Sequence, residues 1–304
     1  MSRLQRIVAA LPGASIIRGY RLADLPADLL SSLIVVLVLI PSAIAHADLA
    51  RCPPAAGLYA ALAGMVVFAL FTSSRHVITG PDAAIALMVG AAVSSVAGDS
   101  PAQALAASTW LALLTGALLL LAAWGKLGAA ADFLANPVMI GFMNGAALVI
   151  VLSQSGRLIG VNLTQDNPIL SLLVLLTLLP MNLGPTLALG LSFMGILVAL
   201  RIWLPRLPGA VVIFALAIVA GQAFDFSAHG MAVIGSVDTS WPKLVPPILS
   251  LDMAGGLAVS AIGIALMVFP EGVVLGRSMA KKHGYTIHPD RELVALAAAN
   301  LAAG

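Results

Sequence analysis

The sequence predicts an all-α membrane protein, a polytopic helical bundle of about nine apolar segments with a broken third one. Three observations carry this. Mean hydropathy is +1.06, and 61% of the 304 residues are hydrophobic, more than a soluble core needs. Apolar stretches near the ~20 residues that cross a bilayer recur along the chain. Runs such as 29–40 and 111–123 are almost continuously apolar, where a membrane β-barrel would alternate apolar and polar residues.

Taken in order, residues 1–26 carry Arg3, Arg6, Arg18 and Arg21, while Pro12, Gly13 and Arg18 break any signal-peptide core. They are expected to form a cytoplasmic amphipathic lead-in to a transmembrane domain over 27–304. Proline, glycine and charged residues bound spans at 27–45, 54–72, 81–97, 103–124, 136–154, 184–204, 208–224, 252–272 and 290–304, the last one incomplete. The run 168–181 is apolar but shorter than a normal span. If it does not cross and the amino terminus is cytoplasmic, 12 of the 15 Lys and Arg lie inside, leaving Arg51, Arg157 and Lys243 outside. A crossing would give 7 inside and 8 outside and erase the positive-inside bias. The run is therefore expected to be re-entrant, interfacial or tucked against the bundle. Trp124, Trp203 and Trp241 then fall near membrane boundaries, where indole rings prefer to lie.

The third segment is the informative one. Between Phe71 and Ala83 the chain reads Thr-Ser-Ser-Arg-His, a short β-like Val77-Ile78-Thr79, then Gly80-Pro81-Asp82. Proline suits a first helical turn, so a helix is expected to open at Pro81. With 17 residues over 81–97, at ~1.5 Å each, it can start below the membrane surface. A helix start in that position presents free amide N–H groups and a positive dipole end, which is an anion site without a cationic side chain. Proline also interrupts the first span at Pro41 and the eighth at Pro270. By the sidedness argument these two spans run in opposite directions, the pattern expected of an inverted-repeat transporter.

Other function classes fit poorly. A formal charge of +2 with scattered basic residues argues against nucleic acid. The single Cys52 has His46 and Asp48 nearby but no second thiol, so neither a disulfide nor a structural metal is expected, and no cofactor is implied. His-Glu-x-x-His and Gly-x-Ser-x-Gly are both absent, so the chain is not read as an enzyme.

Several motifs resemble the sulfate permease (SulP) family of anion transporters. They run in order as Ile40-Pro41-Ser42-Ala43-Ile44-Ala45-His46-Ala47, Pro54-Ala55-Ala56-Gly57-Leu58-Tyr59-Ala60, Thr72 to His76, and Thr79-Gly80-Pro81-Asp82-Ala83-Ala84. Asn136 to Phe142, Leu207-Pro208-Gly209-Ala210, and Glu271 followed by Gly276-Arg277, Tyr285, Glu292-Leu293 and Asn300 continue the series. The resemblance implies two inverted seven-segment repeats, usually followed by a cytoplasmic STAS domain. The family moves sulfate, bicarbonate or chloride, and some members carry dicarboxylates. On this pattern the substrate lies between two facing half-helix amino termini, and Gly80, Pro81, Asp82, Ala83 and Ala84 match the first of them. Ser42 and His46 match cavity-lining positions of the first span that more often hold glutamine and an aromatic residue. Glu271 matches an acid that is a candidate for coupling to H⁺ or Na⁺. Thr72 stands where a glycine is usual and is expected to bear on the turn alone.

Each of these residues has a plainer role beside the functional one. Asp82 could cap its helix, Glu271 could be a boundary acid beside Arg277, and His46 a polar residue near the outer surface. Ser42 could satisfy backbone groups freed by Pro41. The expected activity is secondary active transport of an inorganic anion, in symport with H⁺ or Na⁺, across a bacterial inner membrane. Partners are the anion, the coupling ion and the lipid bilayer, and a homodimer is left open. The alternatives are a passive anion channel or an inactive truncated remnant, since the chain stops in its ninth segment.

Overall fold

The computed structural model describes residues 13, 20–98, 100–128, 136–161, 168–181, 184–205, 207–231, 233 and 251–304, with some helix side chains, Glu271 among them, left undescribed. Among the described residues the chain forms ten α-helices and no strand. They are α1 (Leu25–Leu49), α2 (Pro54–Phe71), α3 (Ala83–Ala97), α4 (Pro101–Trp124) and α5 (Asn136–Leu158), then α6 (Pro168–Leu178), α7 (Pro185–Trp203), α8 (Gly209–Phe224), α9 (Leu251–His283) and α10 (Pro289–Ala303). Proline takes the first helical position of α2, α4, α7 and α10, where its missing N–H costs nothing. Five helices, at Leu22–Leu49, Pro54–Phe71, Pro101–Trp124, Pro185–Trp203 and Asp252–His283, are long and apolar enough to cross a membrane. Leu29, Val66, Leu191 and Val219 are each more than half exposed, an apolar exterior suited to lipid. The chain is an integral membrane protein.

Two compact units are distinguished, one of Met1–Asp28, Ser42–Met139 and Asp238–Gly304, the other of Leu29–Pro41 and Ile140–Val237. Helix α1 contributes to both, the unit changing after Asp28 and again after Pro41. In the first unit, α10 packs on α4 and α2, while α9 packs on α4 and α3. Leu111 and Leu119 of α4, Leu257 and Val273 of α9, Leu293 of α10 and Val93 of α3 are fully buried in its core. Small residues let these helices approach closely. A Cβ on Gly116 would lie 2.7 Å from Leu301 Cγ and 3.0 Å from the Ala297 carbonyl oxygen, so α4 meets α10 at the backbone. A Cβ on Gly90 of α3 would collide with the carbonyl oxygen of Leu49 at the end of α1. In the second unit, α7 packs on α8.

The segment limits expected from sequence match the helices closely, with three physical differences. Helix α3 starts at Ala83 rather than Pro81, because Asp82 is extended (φ −106°, ψ 142°) and its side chain caps the helix. Pro41 and Pro270 lie inside continuous helices rather than interrupting them, as membrane helices tolerate when neighbours satisfy the freed carbonyls. Helix α9 runs on to His283, giving 33 residues and about 50 Å, longer than the hydrocarbon layer. Its last turn carries Lys281, Lys282 and His283, the charge sign a helix carboxyl end favours. The 168–181 run forms the 11-residue α6 and a 3₁₀ turn, Leu179–Met181; at about 17 Å, α6 is too short to span. Trp124 and Trp203, at the ends of α4 and α7, are 84% and 79% exposed, whereas Trp241 lies outside the described residues.

Candidate functional site

Residues 72–82 form a non-helical segment between two apolar helices. Helix α3, which follows, has 15 residues and is about 22 Å long, short of the ~30 Å hydrocarbon layer. Irregular backbone of this kind is stable at depth only against protein or a wet cavity. A cavity of about 260 Å³ does open there, in the first unit, lined by Gly80, Pro81 and Asp82 and, from α10, by Glu292 and Asn300 among others. Among the described residues its lining includes two carboxylates and no basic side chain.

Both carboxylates are met by donors. Asp82 Oδ1 accepts from the Ala84 N–H at 2.8 Å and the Ile85 N–H at 3.1 Å, while its backbone carbonyl accepts from Ala86 at 2.9 Å. The helix start therefore already holds an anion, the aspartate's own. Of the first-turn amides, Ala83 is the one Asp82 does not take. Glu292 is 1% exposed in the first turn of α10. It accepts from Thr72 Oγ1 at 2.8 Å, from the Ser73 N–H at 2.8 Å and from Ser73 Oγ at 2.5 Å.

The remaining expected site residues are not all gathered at the cavity. Ala83 and Ala84 lie half-buried behind the cap, outside the cavity lining. Ser42 and His46 sit one turn apart on α1 and do not line it either. His46 belongs to the helix body, and its Nδ1 is buried without a hydrogen-bond partner among the described residues. The Asp82 carboxylate is an electrostatic neighbour of that ring. Glu271 falls on α9, but its side chain lies outside the described residues; the adjoining Gly272 lines the cavity. Among the described residues no group of three His, Cys, Asp or Glu could hold a metal ion. Burial pushes the Cys52 thiol up, with Ser108 opposing, so it is a poor nucleophile.

Sequence reasoning missed two features. Thr72 bears on more than the turn: its hydroxyl donates to Glu292 across 220 positions and accepts from the Ser74 N–H at 3.0 Å. The second is Glu292 itself, quoted only as part of a motif. Its position in the first turn of a proline-started helix was the available signal, since an acid there favours a helix dipole.

The sequence pattern of the Sulfate permease family matches residues 25–304. The chain belongs to that family. A probable sulfate transporter of Mycobacterium tuberculosis is 35% identical over 294 residues, covering 96% of this chain and 52% of the relative. Sulfate transporter 2.1 of Arabidopsis thaliana is 28% identical, over 93% of this chain and 44% of its own length. This sulfate permease family chain thus spans about half the length of the curated relatives it matches. Among solved structures, the murine Solute Carrier 26 family member A9 anion transporter in its inward-facing state superposes with a TM-score of 0.88 at 21% identity, covering 99% of this chain and 54% of that one. The transmembrane domain of a cyanobacterium bicarbonate transporter, BicA, gives 0.78 at 20% identity, over 93% and 73% of the two chains. At these identities the superpositions establish the fold. The relatives are transporters rather than enzymes, in line with the absence of catalytic motifs.

Proposed function

We propose that this chain supplies the anion-handling part of a secondary active transporter of the cell membrane, with its amino terminus cytoplasmic. The cargo is an inorganic oxyanion of the sulfate or bicarbonate class. The observation that carries the reading is the short helix α3, whose start adjoins a cavity. Its amides can hold negative charge, because they already hold the Asp82 carboxylate.

The same observation restricts the mechanism. Asp82 and a divalent anion repel at one helix end, so the anion binds when the aspartate is neutralised or turns away from Ala84 and Ile85. A coupling cation that balances the aspartate's charge would remove what opposes the cargo. Glu271, one residue from the cavity-lining Gly272, is the acid through which H⁺ or Na⁺ is coupled. The anion crosses as one bundle rocks against the other.

Uptake of radiolabelled sulfate and bicarbonate into proteoliposomes tests this. The expected result is saturable uptake against a gradient that collapses when the H⁺ or Na⁺ gradient is dissipated, and Glu271→Gln leaves flux that no longer follows it. Flux that is only downhill and indifferent to both gradients would make the protein a channel. Unchanged gradient dependence in Glu271→Gln would remove Glu271 from the mechanism.

A further inference from the structure

We infer that Glu292 is a positioning residue for the anion site: it fixes the segment that presents Gly80 to Ala84, acting through Thr72 and Ser73. The inference rests on the proposed anion reading and adds to it a residue, on another helix, on which anion affinity depends. Three facts support it. Glu292 is 1% exposed, and a buried carboxylate is stable only where donors meet it. Its three donors among the described residues come from two consecutive residues at the start of the 72–82 segment. And Glu292 lines the same cavity as Gly80, Pro81 and Asp82, so what it holds and what it faces belong to one site.

The arrangement is directional in a way apolar packing is not. Oε2 takes the Thr72 hydroxyl and Oε1 takes both the amide and the hydroxyl of Ser73, which sets the backbone path as the chain leaves α2. Neighbouring bonds complete the fastening. Ser73 Oγ accepts from the His288 N–H at 3.2 Å, and Ser74 Oγ lies 3.1 Å from Tyr285 Oη. His76 stacks on His283 with ring centroids 4.0 Å apart. Residues 72–76 are thereby tied to the turn between α9 and α10, and the six residues that follow lead to the Asp82 cap.

The test compares Thr72→Val, Thr72→Ser and Glu292→Gln with the wild type in proteoliposomes, reading sulfate KM, maximal rate per folded protein and amide exchange over residues 73–82. Thr72→Val keeps the side chain's shape but removes both the donor to Glu292 and the acceptor for the Ser74 N–H, and is expected to raise KM about tenfold and lose loop protection. Thr72→Ser restores both. Glu292→Gln is expected to behave like Thr72→Val if it folds. A purely structural role would lower thermal stability and leave KM and exchange in the folded fraction unchanged, and that result overturns the inference. A fall in KM for Glu292→Gln would show charge repulsion rather than positioning, and also overturns it. If the wild type shows no saturable sulfate uptake, the anion reading itself fails; the exchange comparison then decides separately whether Glu292 fixes the loop.

Discussion

Neutralising Asp82 without disturbing its cap separates the two roles this residue combines. In Asp82→Asn the side-chain oxygen can still accept from Ala84 and Ile85, now bonded at 2.8 and 3.1 Å, because asparagine caps helices about as well as aspartate. What disappears is the charge. Two unit charges 4 Å apart interact by roughly 4 kcal/mol at an effective dielectric of 20, and a divalent anion doubles that. Water reaching the open cavity offsets much of it. A third of the unit-charge figure, about 1.4 kcal/mol, is a tenfold change in affinity. Asp82→Asn is therefore expected to bind sulfate at least tenfold more tightly, with thermal stability almost unchanged. Asp82→Ala also removes the charge but gives up the cap, so it costs about 0.5–2 kcal/mol of stability. Sulfate dependence of initial uptake, read beside thermal unfolding of the same preparations, measures both. An affinity that is unchanged or weaker in Asp82→Asn, with stability intact, refutes a shared anion site at the α3 terminus.

Two further outcomes follow from packing and from a surface hydrogen bond. Gly90→Ala forces a methyl group into the Leu49 carbonyl and is expected to destabilise by about 1–3 kcal/mol; Gly195→Ala, with nothing within 4 Å of the added carbon, is expected to be neutral or stabilising by up to about 1 kcal/mol, and equal melting temperatures for the two would contradict the close α1–α3 approach. Tyr20 donates to Asp28 at 2.7 Å, and that bond, with burial and the charges of Asp28 and Asp24 adding to it, pushes the phenol up to about 12. Because the neutral form makes the bond, the contact is present at neutral pH and lost as pH rises through about 12. Absorbance titration of tyrosinate should show a late phase that Tyr20→Phe removes.

What the sequence made legible was local. Apolar run length placed the helices, and the polar stretch Thr72 to His76 followed by Gly80-Pro81 marked the broken segment, because chain-breaking chemistry is written in neighbouring residues. The cap at Asp82 was equally local, yet a proline one residue earlier competed for the helix start; the two readings differ only in which residue has extended torsions, and a side-chain oxygen bonded to two amides decides it. The division of α1 between two units was not read from the sequence, where Pro41 marked only an interruption within one span. What Glu292 holds was beyond reach for a different reason. Its partners stand 219 and 220 positions away, and nothing in the periodicity of either segment reports the other. In a lipid-embedded protein this is where information should be hardest to see: apolar surface drives insertion everywhere, whereas specific geometry rests on a few polar contacts between distant segments. Thr72 is the visible end of one such contact. Glycine at 72 would offer no hydroxyl to Glu292 Oε2. Thr72→Gly should therefore loosen the loop, read as faster amide exchange over residues 73–82.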